Sequence, residues 1–261
     1  MLEQIINGVG ALSDPIPLAV LGVVVVLTVV LGELARRDIL TIPQRRLSAY
    51  EAVTSQIGRA VESGGRVHTS TGPNSIVNED TGTTVAALAI LDVVTTDATI
   101  SDQQPIATTA DATALPIISD TLYRAYTRSG ASGKYDTTSA RLVAFDSTTL
   151  VGGLTVMVPD DDLQANLLVG SFGSEVALAA EAGQRHGISQ TIGSDRVEGQ
   201  AAAYASAEHI LIGEELFVSR AYLDEAPAAQ GGLATQDILR WGAIAAILVG
   251  RVLASLGLLG H

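Results

Sequence analysis

Two long stretches of the chain are apolar all round, and between them short apolar runs alternate with amphipathic ones. The first stretch, Pro15 to Gly32 (PIPLAVLGVVVVLTVVLG), carries no charge over its eighteen positions. A helix rises about 1.5 Å per residue, so this run reaches roughly 27 Å, close to the ~30 Å hydrocarbon layer of a bilayer. A buried parallel strand is the competing reading of an apolar run, but strands rarely exceed about ten residues. Valine is a weak helix former in water. In lipid an unpaired amide is too costly to keep, and helix satisfies the backbone. The preceding segment holds Glu3 and Asp14 and no Lys or Arg, and no small-residue cleavage site follows. An uncleaved anchor is therefore expected, not a signal peptide.

The second stretch, Trp241 to Gly260, is broken only by Arg251. Trp241 suits a membrane interface. Gly242, Ala246, Gly250 and Ala254 recur every fourth residue and so share one helix face, a pattern that lets transmembrane helices approach closely. A central arginine in a span costs about 2.5–3.5 kcal/mol, so Arg251 is expected to snorkel to headgroups or to pair with Asp14. Arg36, Arg37, Arg45 and Arg46 follow the first run, and Arg240 precedes the second. The positive-inside rule then puts both termini outside a bacterial inner membrane and the middle of the chain in the cytoplasm. The expected layout is an outer segment 1–14, a span 15–34, a juxtamembrane linker and helix 35–64, a cytoplasmic domain 65–237 and a second span 238–261.

Within that domain the period of the pattern switches repeatedly. An amphipathic helix is expected over Arg46–Glu62. The strand candidates are RVHTS (66–70), PIATTA (105–110), ARLVAF (140–145), ANLLVG (165–170), ISQTI (188–192) and HILIG (209–213); LTVMV (154–158) reads as a strand or a helix end. Helical patterns follow at Thr84–Val94, Thr113–Arg128, after Ser171 or Ser174 as caps, at Arg196–Ala207 and at Glu214–Leu223, with Asp111 a candidate N-cap. Five or six strands, each followed by a helix, predict an α/β fold: a doubly wound, Rossmann-like, mostly parallel sheet flanked by the two transmembrane helices. The uninterrupted runs LLVG and ILIG suit strands buried on both faces.

Composition narrows the function. With 15 Lys and Arg against 28 Asp and Glu the net charge is −13, which argues against nucleic acid as a partner. A mean hydropathy of +0.34 beside that acidity reflects the two apolar stretches. The absence of cysteine excludes disulfides and thiolate metal sites. His68, His186 and His209 are dispersed, without metal-ligand spacing, so neither a metal nor a cofactor is assigned. A pairing of His68 with a nearby serine is the one nucleophilic arrangement on offer, but no nucleophile elbow accompanies it.

Ligands of open parallel sheets settle beyond the carboxyl ends of the strands. Three loops there have suitable chemistry. Ser70, Thr71 and Asn74 lie in the first, Ser171, Ser174 and Glu175 in the second, and Glu214 with Glu215 in the third. No phosphate-loop motif is present, and the acids repel phosphate. Ordinary helix caps are the plainer reading.

The runs RVHTSTG (66–72), TTVAALAILD (83–92), NLLVGSFGSE (166–175), LIGEELFVSRAYL (211–223) and QDILRW (236–241) resemble an uncharacterised family of bacterial membrane proteins, a domain of unknown function. The resemblance implies one α/β cytoplasmic region beside transmembrane helices and no chemistry. A non-enzymatic, membrane-anchored scaffold that assembles with copies of itself among membrane lipids is the leading expectation. A membrane-tethered sensor of a small molecule or nucleotide, or transport-coupled module, is the alternative, and an oligomeric pore with Arg251 giving anion preference is a third.

Overall fold

The computed structural model describes residues 15–37, 45–224 and 226–255. Two compact units make up the chain: Arg46–Asp224, and the flanking segments up to Arg45 and from Glu225 onward.

The first unit is a six-stranded sheet with order β3-β2-β1-β4-β5-β6. Its strands are β1 (Arg66–Ser70), β2 (Ile106–Thr109), β3 (Ala140–Leu142), β4 (Leu163–Gly170), β5 (Ser189–Ser194) and β6 (His209–Ile212), and every pairing between them is parallel. Parallel neighbours need a crossover, and the helices supply it. The flanking single-chain pair consists of α1 (Pro15–Arg36) and α9 (Pro227–Ser255). Over the sheet lie α2 (Ser48–Ser63), α3 (Thr81–Ala98), α4 (Leu115–Arg128), α5 (Ser147–Asp160), α6 (Val176–Arg185) and α7 (Val197–Ser206), with the short α8 (Ser219–Tyr222) after a 3-10 turn at Gly213–Val218.

Chain order changes direction between β1 and β4, and the helices change face with it. Leu91 of α3, Ala107 of β2 and Ile118 and Leu122 of α4 form a core on one face. Leu150 and Leu154 of α5, Leu168 of β4, Val176 and Ala179 of α6 and Ile192 of β5 form the core on the other. This is the doubly wound α/β architecture that the alternating pattern predicts. Strand β4 is buried at seven of its eight positions, as a central strand covered on both faces must be.

The central strands also carry buried polar side chains in register. His68 of β1 pairs with Asn166 of β4, and Asn166 with Gln190 of β5. Thr108 of β2 donates to His68, His68 to Asn166, Asn166 to Gln190, and Gln190 to the Ala180 carbonyl of α6. The direction is set at the far end. The Gln190 amide donates to a backbone oxygen, so its own oxygen must accept from Asn166. The chain thus crosses four strands and leaves none of these groups unpaired, which the low dielectric of a core requires.

The structure decides one open reading of the sequence and shifts two of its boundaries. The LTVMV run lies inside α5, begun by Asp146, whose carboxylate accepts from the Thr149 amide at 2.9 Å. Helix α2 belongs to the α/β unit, because Tyr50, Val53, Ile57 and Ala60 bury one face of it. The unit ends at Asp224, earlier than 237, since the helical segment from Pro227 runs unbroken into the second apolar stretch.

Both helices of the second unit are long and apolar enough to cross a membrane, over Pro17–Arg36 and Pro227–Arg251. They meet at two glycines. A Cβ placed on Gly231 would fall 2.3 Å from the Gly32 amide nitrogen and 2.4 Å from its Cα, so only glycine allows this approach. Thr235, one turn beyond Gly231, is buried, while Gln236 to Val249 are exposed.

Candidate functional site

The carboxyl ends of β1 and β4 are where a doubly wound sheet offers a crevice, because its connections part there to opposite faces. Here the two loops touch backbone to backbone. A Cβ on Gly170 would lie 2.7 Å from the Thr71 carbonyl oxygen, 2.6 Å from Asn74 Oδ1 and 3.0 Å from Gly72 Cα. Gly72 itself adopts φ +72°, a left-handed conformation that favours glycine.

Asn74 staples the loops together. Its Nδ2 donates to Ser171 Oγ at 2.7 Å, and its Oδ1 accepts from the Ser171 amide at 2.7 Å. Ser171 Oγ in turn donates to Asp195 Oδ2 at 2.8 Å, and Thr83 donates to that same oxygen. Asp80 Oδ1 stands 3.4 Å from the serine hydroxyl. The second oxygen of Asp195 is buried and has no hydrogen bond.

The sequence candidates of the first two loops therefore divide. Ser70, Thr71, Asn74 and Ser171 are all buried and come together at one place. Ser70 and Thr71 turn their hydroxyls onto the Thr108 carbonyl, and so secure β1 to β2. Ser174 is exposed, and neither it nor Ser171 caps α6. Glu175 accepts from the Gly173 amide at 2.8 Å and from the Ser147 hydroxyl, tying the loop before α6 to the start of α5. Burial alone would raise its pKa, but the Ser147 and Gly173 hydrogen bonds and the nearby Arg196 hold it below the ordinary glutamate value.

The third loop is built into a different contact. Glu215 Oε2 accepts from the Ile212 amide, and the Glu215 carbonyl accepts from the Tyr50 hydroxyl at 2.5 Å. Tyr50 stacks on Tyr222 with ring centroids 5.4 Å apart. Burial foremost, then the charge of Glu215 and the neighbouring Tyr222, push the Tyr50 hydroxyl above its usual pKa and keep it a donor. Glu214 is exposed.

Thr83, Asp80 and Asp195 were missed as members of the switch-point cluster. Their signal was positional: Asp80 stands directly before α3, at the far end of the loop that follows β1, and Asp195 directly after β5. The His68–serine pairing does not form. Nδ1 lies 2.6 Å from Asn166 Oδ1 and Nε2 2.9 Å from Thr108 Oγ1, so both ring nitrogens are occupied. Burial lowers the His68 pKa to about 4, outweighing the Asn166 hydrogen bond, so the ring is neutral at pH 7. Among the described residues no group of three or more His, Asp or Glu side chains is placed to hold a metal ion.

On α9, Gly242 and Gly250 have open space where a Cβ would be, and Ala246 and Arg251 are exposed. The Ala254 side chain and Asp14 lie outside the described residues.

Fold and site together define a doubly wound parallel α/β unit in one chain with a pair of long apolar helices, its switch point closed by its own polar side chains. The chain belongs to the family described as domain of unknown function DUF6754, which it matches over residues 13–260. No curated protein and no solved structure matches it.

Proposed function

We propose that this protein is a membrane-anchored, non-enzymatic scaffold that assembles with copies of itself, with the α/β unit on the cytoplasmic side of a bacterial inner membrane and both termini outside. The observation that carries the reading is a contrast between the two units. The crevice where a doubly wound sheet takes its ligand is filled by Asn74, Ser171 and the Gly72–Gly170 contact, whereas the helices turn large apolar side chains outward. Val26 is 61% exposed, Val29 65% and Ile247 70%. Apolar surface on that scale requires lipid or another protein surface to cover it. Arg36, Arg37, Arg45 and Arg46 next to α1 support the cytoplasmic placement of the intervening unit.

Mass photometry of the full chain in mild detergent tests the assembly, and carbonate extraction of vesicles tests the anchoring. Particles of at least two copies that resist extraction are expected. A strict monomer at micromolar concentration, or release by carbonate, overturns the reading.

A further inference from the structure

We propose that the contact between Gly32 and Gly231 sets the first turns of α9 inside the bilayer, so that Gln236, Asp237 and Arg240 form a water-accessible polar inlet within the hydrocarbon layer, open at the edge where Gly32 lies. This rests on the membrane-anchored reading and adds to it the depth of α9.

Two spans in contact share one depth where they touch, and α1 fixes that depth. Its charge-free run ends at Gly32, and an exposed charged group follows at once. Glu33 accepts from Arg37 at 2.8 Å and lies 3.5 Å from Arg36. Gly32 therefore marks the inner edge of the hydrocarbon. The backbone of Gly32 leaves no room for a Cβ on Gly231, so Gly231 belongs at that same edge. At about 1.5 Å per residue, an upright α9 carries Asp237 roughly 9 Å and Arg240 roughly 13 Å into the layer. At a tilt of about 40°, the upper end of what spans show, Arg240 still lies roughly 10 Å deep.

The apolar pattern of α9 taken alone puts Trp241 at the edge instead. The two placements differ by the ten residues from Gly231 to Trp241, about 15 Å along the helix, and both cannot hold. With Trp241 at the edge, Gly32 would drop below the layer and draw Val25, Val26, Val29 and Val30 into water, all of them exposed. With Gly231 at the edge, lipid covers those four valines. The layer then receives one carboxylate and one guanidinium that already lie 3.6 Å apart, so the charge admitted sums to zero.

Burial and chemistry say what this band faces. Ionised side chains within a span face protein or water. The run Pro15–Gly32 of α1 carries no charge to meet them. Gln236, Asp237 and Arg240 share one helix face and are all exposed, Asp237 at 61% and Arg240 at 49%. Thr235, by contrast, is buried and donates its hydroxyl to the Gly231 carbonyl at 2.9 Å. A carboxylate only accepts, a guanidinium only donates and an amide does both, a set that water alone can serve throughout. Gly231, at the near edge, is the shorter way in.

Trp241 is the sole tryptophan and reports its own depth. In phosphatidylcholine vesicles holding the full chain, lipids brominated near their chain ends are expected to quench it about twofold more than lipids brominated near the headgroup. Gly231→Leu breaks the contact and is expected to reverse that order. The chain has no cysteine, so single replacements read cleanly. With a membrane-impermeant thiol reagent on both faces, Gln236→Cys is expected to react at least about tenfold faster than Ile247→Cys, which faces lipid. Stronger quenching from the headgroup end overturns the depth. A deep Trp241 with Gln236→Cys as inert as Ile247→Cys overturns the inlet, because the band is then covered. Unchanged depth in Gly231→Leu overturns the contact as its cause. All three results leave the membrane-anchored reading standing, whereas release of the chain by carbonate removes that reading and the inlet together.

Discussion

His68 on β1 donates from Nδ1 to Asn166 Oδ1 on β4 at 2.6 Å, across the boundary where the order of strands reverses. The bond fixes the tautomer of a fully buried imidazole, because Nε2 is left to accept from Thr108. It also makes the ring a liability in acid.

Folded, His68 titrates near 4; unfolded, near 6.5. The unfolded chain therefore binds more protons between those values. Stability from this residue is complete above about pH 6.5, falls as pH drops toward 4, and is spent below it. The loss over that window is on the order of 3 kcal/mol at 1.36 kcal/mol per pKa unit. Urea unfolding of the detergent-solubilised chain, followed by circular dichroism at pH 7, 6, 5 and 4, measures it. His68→Gln is expected to flatten most of that slope, and an unchanged slope refutes the assignment.

Asn74 satisfies both the amide and the hydroxyl of Ser171 from a fully buried position. Asn74→Ala leaves the Ser171 amide unpaired, while the hydroxyl still donates to Asp195, and is expected to cost about 1–3 kcal/mol for the buried group left without a partner. A lower urea midpoint at unchanged slope is the expected signature.

Gly170→Ala probes the same junction by steric means. Its Cβ would meet the Thr71 carbonyl oxygen at 2.7 Å, and backbone cannot swing aside as a side chain can. A destabilisation of about 1–3 kcal/mol is expected. Gly152→Ala, on α5 with open space around it, serves as the control and is expected to be neutral or slightly stabilising.

Gly231→Leu separates the two units experimentally. The added side chain cannot fit against Gly32, so hydrogen exchange over Val24–Ala35 of α1 is expected to quicken. Exchange in β4 and β5 is expected to stay as it was. Equal acceleration in both regions would contradict the division of the chain into two compact units.

Tyr50→Phe removes one hydrogen bond, to the Glu215 carbonyl, and keeps the ring stack on Tyr222. It is expected to cost about 0.5–1.5 kcal/mol. Tyr50→Ala also empties a core position only 2% exposed and is expected to cost about 3–5 kcal/mol. Similar losses from the two would deny the stack any part in holding α2.

Alternation of short apolar runs with helical patterns was enough to place β1 at its observed residues and the other five strands within a few of theirs. Burial on both faces makes such strands uniformly apolar, and that shows in composition. LTVMV was ambiguous because five apolar residues suit either period; Asp146, eight residues earlier, decides for helix by capping. The candidate loops Ser70–Asn74 and Ser171–Glu175 were legible as carboxyl-edge loops. Their closing on each other was not, because residues 74 and 171 are 97 apart and only the β1–β4 pairing makes them neighbours.

The amino-acid pattern by itself determined two long apolar helices, a parallel α/β unit between them and the acidity of that unit, since each follows from periodicity and composition along a local stretch. Tertiary structure alone decided that the switch point is filled by Asn74 and Ser171, that His68 serves a chain of hydrogen bonds across the sheet, and that Gly231 instead of the Gly242 stripe meets α1. Those outcomes depend on which strands and helices become neighbours, and long-range contact leaves no periodic trace in sequence.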